Sequence, residues 1–260
     1  MLNGRTALVT GATQGIGLAI AESLARAGAD VVVHGIEPVA RGSAIADEVA
    51  GQSGGRAEYV RADLTDASEA SSLVDAAAKA LAAPDILVNN AGIQHTSPVE
   101  HFPPERWNAI IAVNLSAAFH TMRAAVPRMR ERGWGRIVNV ASVHGLVASV
   151  DKVAYVAAKH GLVGMSKGVA LETAADGITV NCICPGFTDT PLIRPQIEVR
   201  AEHFGGDHTA AISDLMREKQ PNVKLLPPEQ IGDVVVFLCS QAAEGITGIA
   251  LPIDGAWTAQ

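Results

Sequence analysis

Cysteine is scarce in this chain: three residues among 260, at Cys182, Cys184 and Cys239. An odd number without zinc-type spacing gives neither a disulfide framework nor a metal cage, so no metal site is expected. Cys182-Ile183-Cys184 would suggest redox or metal chemistry in another setting. Its apolar surroundings read instead as buried strand, and a reducing cytoplasm suits it. Positive charge is also in short supply, with 20 Lys and Arg against 27 Asp and Glu, a net charge of −7 and a pI near 5.6. Nothing is left over to grip a phosphate backbone, which argues against nucleic-acid binding as the main activity. No uninterrupted apolar run reaches the length of a membrane span, so no membrane partner is expected. Residues 1–5 run straight into a strand-like segment without a basic stretch or a long apolar one, so no secretory leader is expected and the cytoplasm is the expected location. Repeats, low-complexity tracts and dividing linkers are also missing.

What is present is a hydrophobic content of 48%, enough for one large core and a single α/β domain over residues 1–260. Ala7-Leu8-Val9 and Val31-Val32-Val33 are too continuous for one-sided strands, and they alternate with segments of helical period, the mark of a parallel sheet covered on both faces. Ile16, Ile20 and Leu24 share one helical face, and Gly28 is placed to stop that helix. Further strands read near Ala57 to Val60, Asp85 to Asn89, Arg136 to Val140, Ile178 to Cys184 and Gly248 to Ile253. Helix starts are marked by Asp66 with Glu69, Pro103-Pro104-Glu105 and Pro227-Pro228-Glu229. The sum is a seven-stranded, doubly wound Rossmann-type sheet. Pro127 falls inside the helical segment from Asn114 to Arg132, where it kinks the helix or begins its last turns. Residues 188–221 are polar and broken by Pro and Gly, longer than an ordinary connection, and read as a helical excursion or substrate lid.

Directly after the first strand, Thr10-Gly11-Ala12-Thr13-Gln14-Gly15-Ile16-Gly17 opens into a helix. Glycines there permit a tight turn and let backbone N–H groups approach a pyrophosphate, although three glycines can also serve turn geometry alone. The strand-turn-helix context favours a dinucleotide. The second strand ends in His34-Gly35-Ile36-Glu37, with no clear acid at position 35 and no base at 36. A 2′-phosphate would lack a cationic partner, so NAD is expected over NADP, with Arg41 weighing the other way.

Tyr155 and Lys159 lie four residues apart in a helical segment, which puts them on one face. A tyrosine titrates near 10, but a cation within roughly 4–6 Å favours the phenolate, so the pair makes sense as an acid/base. Alone it is weak evidence, since such pairs occur on solvated helices. Ser142 follows the strand ending at Val140, at the sheet edge where open α/β folds bind ligands. Asn89-Asn90-Ala91-Gly92 and Pro185-Gly186 reach the same edge.

Thr-Gly-x3-Gly-Ile-Gly, Asn-Asn-Ala-Gly, Asn114, Ser142, Tyr-x3-Lys and Pro-Gly with Thr190 together resemble the short-chain dehydrogenase/reductase family, in order and over essentially the whole chain. The resemblance implies that Tyr155 is the general acid/base, that Lys159 lowers its pKa and holds the nicotinamide ribose, that Ser142 binds the reacting oxygen and that Asn114 supports a proton-relay water. It places Asp63 and Leu64 near adenine and Asn90, Ala91 and Gly92 beside the adjoining ribose. Gly11, Thr13, Gln14, Gly15, Ile16, Gly17, Ile36, Pro185, Gly186, Thr188 and Thr190 complete the expected cofactor contacts. It also implies a homotetramer.

A narrower similarity to bacterial D-3-hydroxybutyrate dehydrogenases appears in residues 89–96, 142–149 and 254–259. It implies that Gln94, His144, Lys152 and Gln196 hold a substrate carboxylate and that Trp257 encloses it. Positions 152, 155 and 159 fall on one helical stripe, which independently puts a cation beside the acid/base. The less favoured readings are that Lys152 is a solvated first-turn lysine, His144 a structural hydrogen-bonder, and Gln94 and Gln196 ordinary loop residues. Phe187 stands where that group usually carries Trp, Asp189 where it carries a base and Pro195 where it carries Lys. Phe keeps an apolar wall and loses an N–H donor. The expected activity is NAD-dependent oxidation of a small hydroxy acid to a keto acid. An NADPH-dependent acyl-thioester reductase, a sugar-alcohol or other hydroxy-acid dehydrogenase, and a nucleotide-binding scaffold that retains only the fold are the alternatives.

Overall fold

A computed structural model describes residues 1–52 and 54–259; Gln260, the last residue of the expected domain, lies outside the described residues. The chain alternates strand and helix: β1 (Thr6–Val9), α1 (Gly15–Arg26), β2 (Asp30–Gly35), α2 (Val39–Gly51), β3 (Ala57–Arg61), α3 (Ala67–Ala80), β4 (Ile86–Asn89), α4 (Pro104–Ile111), α5 (Ala117–Arg132), β5 (Gly135–Val140), α6 (Val153–Thr173), β6 (Ile178–Pro185), α7 (Arg194–Glu202), α8 (His208–Arg217), α9 (Pro228–Cys239) and β7 (Ala250–Ile253). The strands form one sheet in the order β3-β2-β1-β4-β5-β6-β7, every pair parallel. Order reverses between β1 and β4, so the crevice outside their carboxyl ends is where an open sheet takes a ligand.

The apolar strands are buried because both faces of the sheet are covered. Val9, Val31, Val33 and Val88 pack with Ile20 and Leu24 of α1 on one side, while Leu8, Leu87 and Ile137 pack with Leu73 of α3 and Met122 of α5 on the other. Ile20 and Leu24 are fully buried, each worth on the order of 2 kcal/mol of transfer free energy. Asp66 caps α3 by accepting from the N–H groups of Ser68 (2.7 Å) and Glu69 (3.3 Å), and Glu69 reaches back to the N–H of Asp63.

Pro127 neither stops nor starts a helix: α5 runs through it from Ala117 to Arg132. Between α4 and α5 the chain makes a π-helical turn, Ala112–Ser116. Residues 104–132 therefore form one rod, and its most apolar 18-residue window, with a mean hydropathy of 1.3, is apolar enough to cross a membrane by length and composition alone. The lack of an uninterrupted apolar run in the sequence pointed the other way. The rod is spent on packing against α3 and α6, and Arg128 pairs with Asp75 of α3 at 2.7 Å. Residues 188–221 carry the helices α7 and α8, which bury their own small core of Ile193, Ile197, Ala201, Ala211, Leu215 and Met216.

Candidate active site

A cavity of about 640 Å³ opens at the carboxyl ends of the strands. Its floor is built by the glycine loop. A Cβ on Gly17 would run into the Gly11 carbonyl and the Asn90 side chain, so only glycine lets α1 start this close to the loop. Asn90 donates to the carbonyls of Thr10 (2.9 Å) and Gly11 (3.0 Å), which commits its amide to the loop. The Gly11 N–H donates to His34 Nδ1 at 3.1 Å, and His34 Nε2 lies 3.1 Å from the Ala62 carbonyl. Burial pulls His34 down to about 4, so the ring is neutral, with Nε2–H donating to Ala62 and Nδ1 free to accept.

Every expected cofactor residue lines this one cavity: Gly11, Thr13, Gln14, Gly15, Ile16 and Gly17 in the loop; Ile36, Asp63 and Leu64 at one end; Asn90, Ala91 and Gly92 after β4; and Pro185, Gly186, Thr188 and Thr190 after β6. Arg41, on α2, is not among the lining residues. Glu37 is, and sequence reasoning passed over it. Its Oε1 accepts from the Thr13 hydroxyl at 2.7 Å, while its Oε2 is buried with no hydrogen-bond partner. Gly35 makes this fold-back possible, because a Cβ there would strike the Glu37 carboxylate and Thr13. The signal was available: Glu37 follows Gly17 at the roughly 20-residue spacing of an acid that binds a ribose hydroxyl. A buried carboxylate oxygen without a donor, over a glycine cradle, fits an adenosine ribose.

Ser142, Tyr155 and Lys159 are all buried at the other end. Ser142 caps a short 3₁₀ turn, Val143–Gly145, accepting from the His144 N–H at 3.1 Å, and its hydroxyl lies 3.4 Å from His144 Nδ1 and in the same cavity wall as Tyr155. Lys159 Nζ donates to the Val140 carbonyl at 2.7 Å and sits 5.5 Å from the centre of the Tyr155 ring. The expectation that the ammonium group makes the phenol acidic needs correction for this state. Burial outweighs everything else, pushing Tyr155 up to about 12 against the lowering effect of the Ser142 hydroxyl, and bringing Lys159 down to about 8.

Asn114 is the one expected catalytic residue outside the lining. It sits in the π turn, and its amide is clasped by the Ile93 backbone, with Nδ2 donating to the carbonyl at 3.0 Å and Oδ1 accepting from the N–H at 2.9 Å. The clasp uses one Nδ2 hydrogen and one Oδ1 lone pair, which fixes the direction of the amide.

Gln94, His144, Lys152, Phe187, Gln196 and Trp257 line the cavity beside Tyr155. Lys152 is the cap residue of α6, not part of its first turn, and its Nζ donates to Gln196 Oε1 of α7 at 3.2 Å. His144 is buried, its Nε2 2.9 Å from Ser149 Oγ; burial first and the Lys152 charge second hold it near 4, so it too is neutral. Its ring stands edge-on to Tyr155 (centroids 5.9 Å apart) and Trp257 (5.6 Å), and Trp257 meets Phe187 at 4.8 Å. Leu192 and Ile193, which the sequence did not single out, add apolar lining from the lid. The three cysteines are buried and unbridged, and burial pushes Cys182 up to about 11 and Cys184 and Cys239 up to about 12, which keeps them as thiols.

Residues 5–200 match the family model described as short chain dehydrogenase. The chain is 51% identical to a D-beta-hydroxybutyrate dehydrogenase of Cupriavidus necator, covering 100% of both chains, and 48% identical to one of Rhizobium meliloti, covering 98% of this chain and 99% of the other. Among solved structures, L-sorbose reductase from Gluconobacter frateurii, complexed with NADPH and L-sorbose, superposes with a TM-score of 0.94 at 31% identity, covering 100% of this chain and 98% of that one.

Proposed function

The chain belongs to the short-chain dehydrogenase family of oxidoreductases, and on that premise we propose that it reversibly oxidises D-3-hydroxybutyrate to acetoacetate with NAD. The bound dinucleotide would supply hydride transfer. Tyr155 would hold the travelling proton, giving it to the carbonyl oxygen in reduction and taking it from the hydroxyl in oxidation, while Ser142 Oγ fixes that oxygen. Lys159, its ammonium group 5.5 Å from the ring centre, would favour the phenolate that oxidation requires.

The single observation that carries the choice of substrate is the Lys152 ammonium group, directed at Gln196 in the same cavity as Tyr155. A desolvated carboxylate is costly unless it is paired, and Lys152, Gln196, neutral His144 and Gln94 provide one cation with polar partners around it. Phe187 and Trp257 would enclose the short hydrocarbon part. Glu37 supports NAD over NADP, since its unpartnered oxygen would accept from a ribose hydroxyl and would repel a phosphate. A cytoplasmic homotetramer accompanies this reading.

The purified chain should reduce NAD when D-3-hydroxybutyrate is added, and Tyr155→Phe should lower kcat by about 10²–10⁴-fold. A Phe variant as active as the parent removes Tyr155 from its role. Binding of NADH without turnover of any small keto acid favours the scaffold alternative.

A further inference from the structure

The lid leaves the sheet after β6 and returns ahead of α9, and its two ends meet. Thr188 forms a parallel bridge with Leu226, the Asp189 N–H donates to the Leu226 carbonyl at 3.0 Å, and the Leu226 N–H donates to the Phe187 carbonyl at 2.9 Å. At this junction lies Gln220, which has no exposed surface and does not line the cavity. Its Oε1 accepts from the Phe187 N–H at 3.0 Å. Its Nε2 donates to Asn222 Oδ1 at 3.1 Å and to the Lys224 carbonyl. The Gln220 N–H donates to the Met216 carbonyl at 2.7 Å, which ties the residue to the last turn of α8. Gly186 gives the amide room, because a Cβ there would come within 2.6 Å of Oε1. Two residues on, the Asn222 N–H donates at 3.3 Å to the carbonyl of Gly255, which stands two residues ahead of Trp257. Both aromatic walls of the substrate end thus hang from residues 220–222.

Packing alone would be served by an apolar side chain of the same volume. A buried amide with its acceptor and both donor bonds used fixes direction as well, and leaves Phe187 N–H and the Lys224 carbonyl unpaired when it is removed. We propose that Gln220 is a positioning residue that sets the affinity for the hydroxy acid by locking Phe187, and through Asn222 the Trp257 segment, to the last helix of the lid. The inference rests on the substrate end assigned above.

Two variants test it. Gln220→Met keeps the volume and loses all three bonds; Gln220→Glu keeps an acceptor for Phe187 and loses both donors. The expected result for Met is a KM for D-3-hydroxybutyrate raised about tenfold, with kcat and the NADH dissociation constant within about twofold of the parent, and a smaller rise for Glu. The Phe187 amide should exchange hydrogen faster in Met than in the parent. A merely structural residue would lower Tm and the active fraction while leaving KM and Phe187 exchange unchanged, and that outcome overturns the proposal. Should neither variant fold, the unmodified enzyme decides: Phe187 and Leu226 amides must open together with the same protection, and independent opening overturns the coupling. A parent without activity on D-3-hydroxybutyrate would defeat the substrate assignment, while amide exchange would still judge the Gln220 junction.

Discussion

Lys152 and Glu37 are the two charged side chains on which the proposed choices of substrate and cofactor rest. Lys152 already spends one N–H on Gln196, so a carboxylate entering the site competes with an uncharged amide oxygen for a cation. Burial lowers the lysine's pKa and so adds to the gain from pairing it. Lys152→Ala should raise KM for the hydroxy acid about 10–100-fold with a smaller change in kcat, because the charge is used equally in ground and transition states. An unchanged KM in steady-state kinetics rules out carboxylate binding by this residue. At the opposite end, Glu37→Arg should shift the NAD/NADP ratio of kcat/KM toward NADP by about tenfold or more, since a guanidinium group there would pair with a 2′-phosphate where the carboxylate repels it. A ratio that stays put in a two-cofactor rate comparison places discrimination elsewhere.

At the level of elements, the ends of β2 and β5 each deliver a neutral buried histidine, His34 to the glycine loop and His144 to the substrate end. Both have folded pKa values near 4 against about 6.5 when unfolded, with burial as the leading cause. The unfolded chain therefore binds more protons between those limits, and stability must fall as pH drops from about 6.5 toward 4, by up to about 1.4 kcal/mol per pH unit for each histidine, and be unaffected by either above that window. Urea unfolding at pH 7.5 and 5 checks this, and His34→Asn should remove one proton's share of the slope. An unchanged midpoint would show that the rings are charged in the folded protein. The sheet itself was legible because strands buried on both faces write continuous apolar runs, and strand limits differ from the reading by a residue or two. The π turn was not legible: Ala112–Ser116 has the composition of ordinary helix, and what distinguishes it is the clasp between Asn114 and Ile93, a tertiary contact. Glu37 was half legible, since its spacing from Gly17 stands in the sequence and its path to the site does not. Its carboxylate reaches the site only by folding back over Gly35 to Thr13, a path that a linear comparison of positions 35 and 36 does not reveal.

For the whole molecule, the residues proposed for cofactor and substrate line a single cavity of the one chain. The surface nevertheless carries apolar side chains that the fold covers only in part. Along the rod of residues 104–132, Trp107, Ile111, Leu115 and Phe119 recur every four residues, and Trp107 and Phe119 are exposed, the latter by 48%. Ile111 and Leu115 are only partly covered. Exposed aromatic side chains at both ends of this partly covered stripe are a surface that self-association would bury, against the repulsion of a net charge of −7. The proposed homotetramer should therefore scatter light with a mass about four times that of the 26.9 kDa chain. Placing a carboxylate in the stripe, Phe119→Glu, should reduce that mass while the Tyr155, Lys159 and Lys152 geometry stays intact, because burying an unpaired charge at an interface is costly whereas exposing it to water is not. A parent that runs as a monomer at all concentrations would withdraw the assembly and leave the chemistry standing. A variant that stays tetrameric would move the interface to another face of the sheet's helical cover.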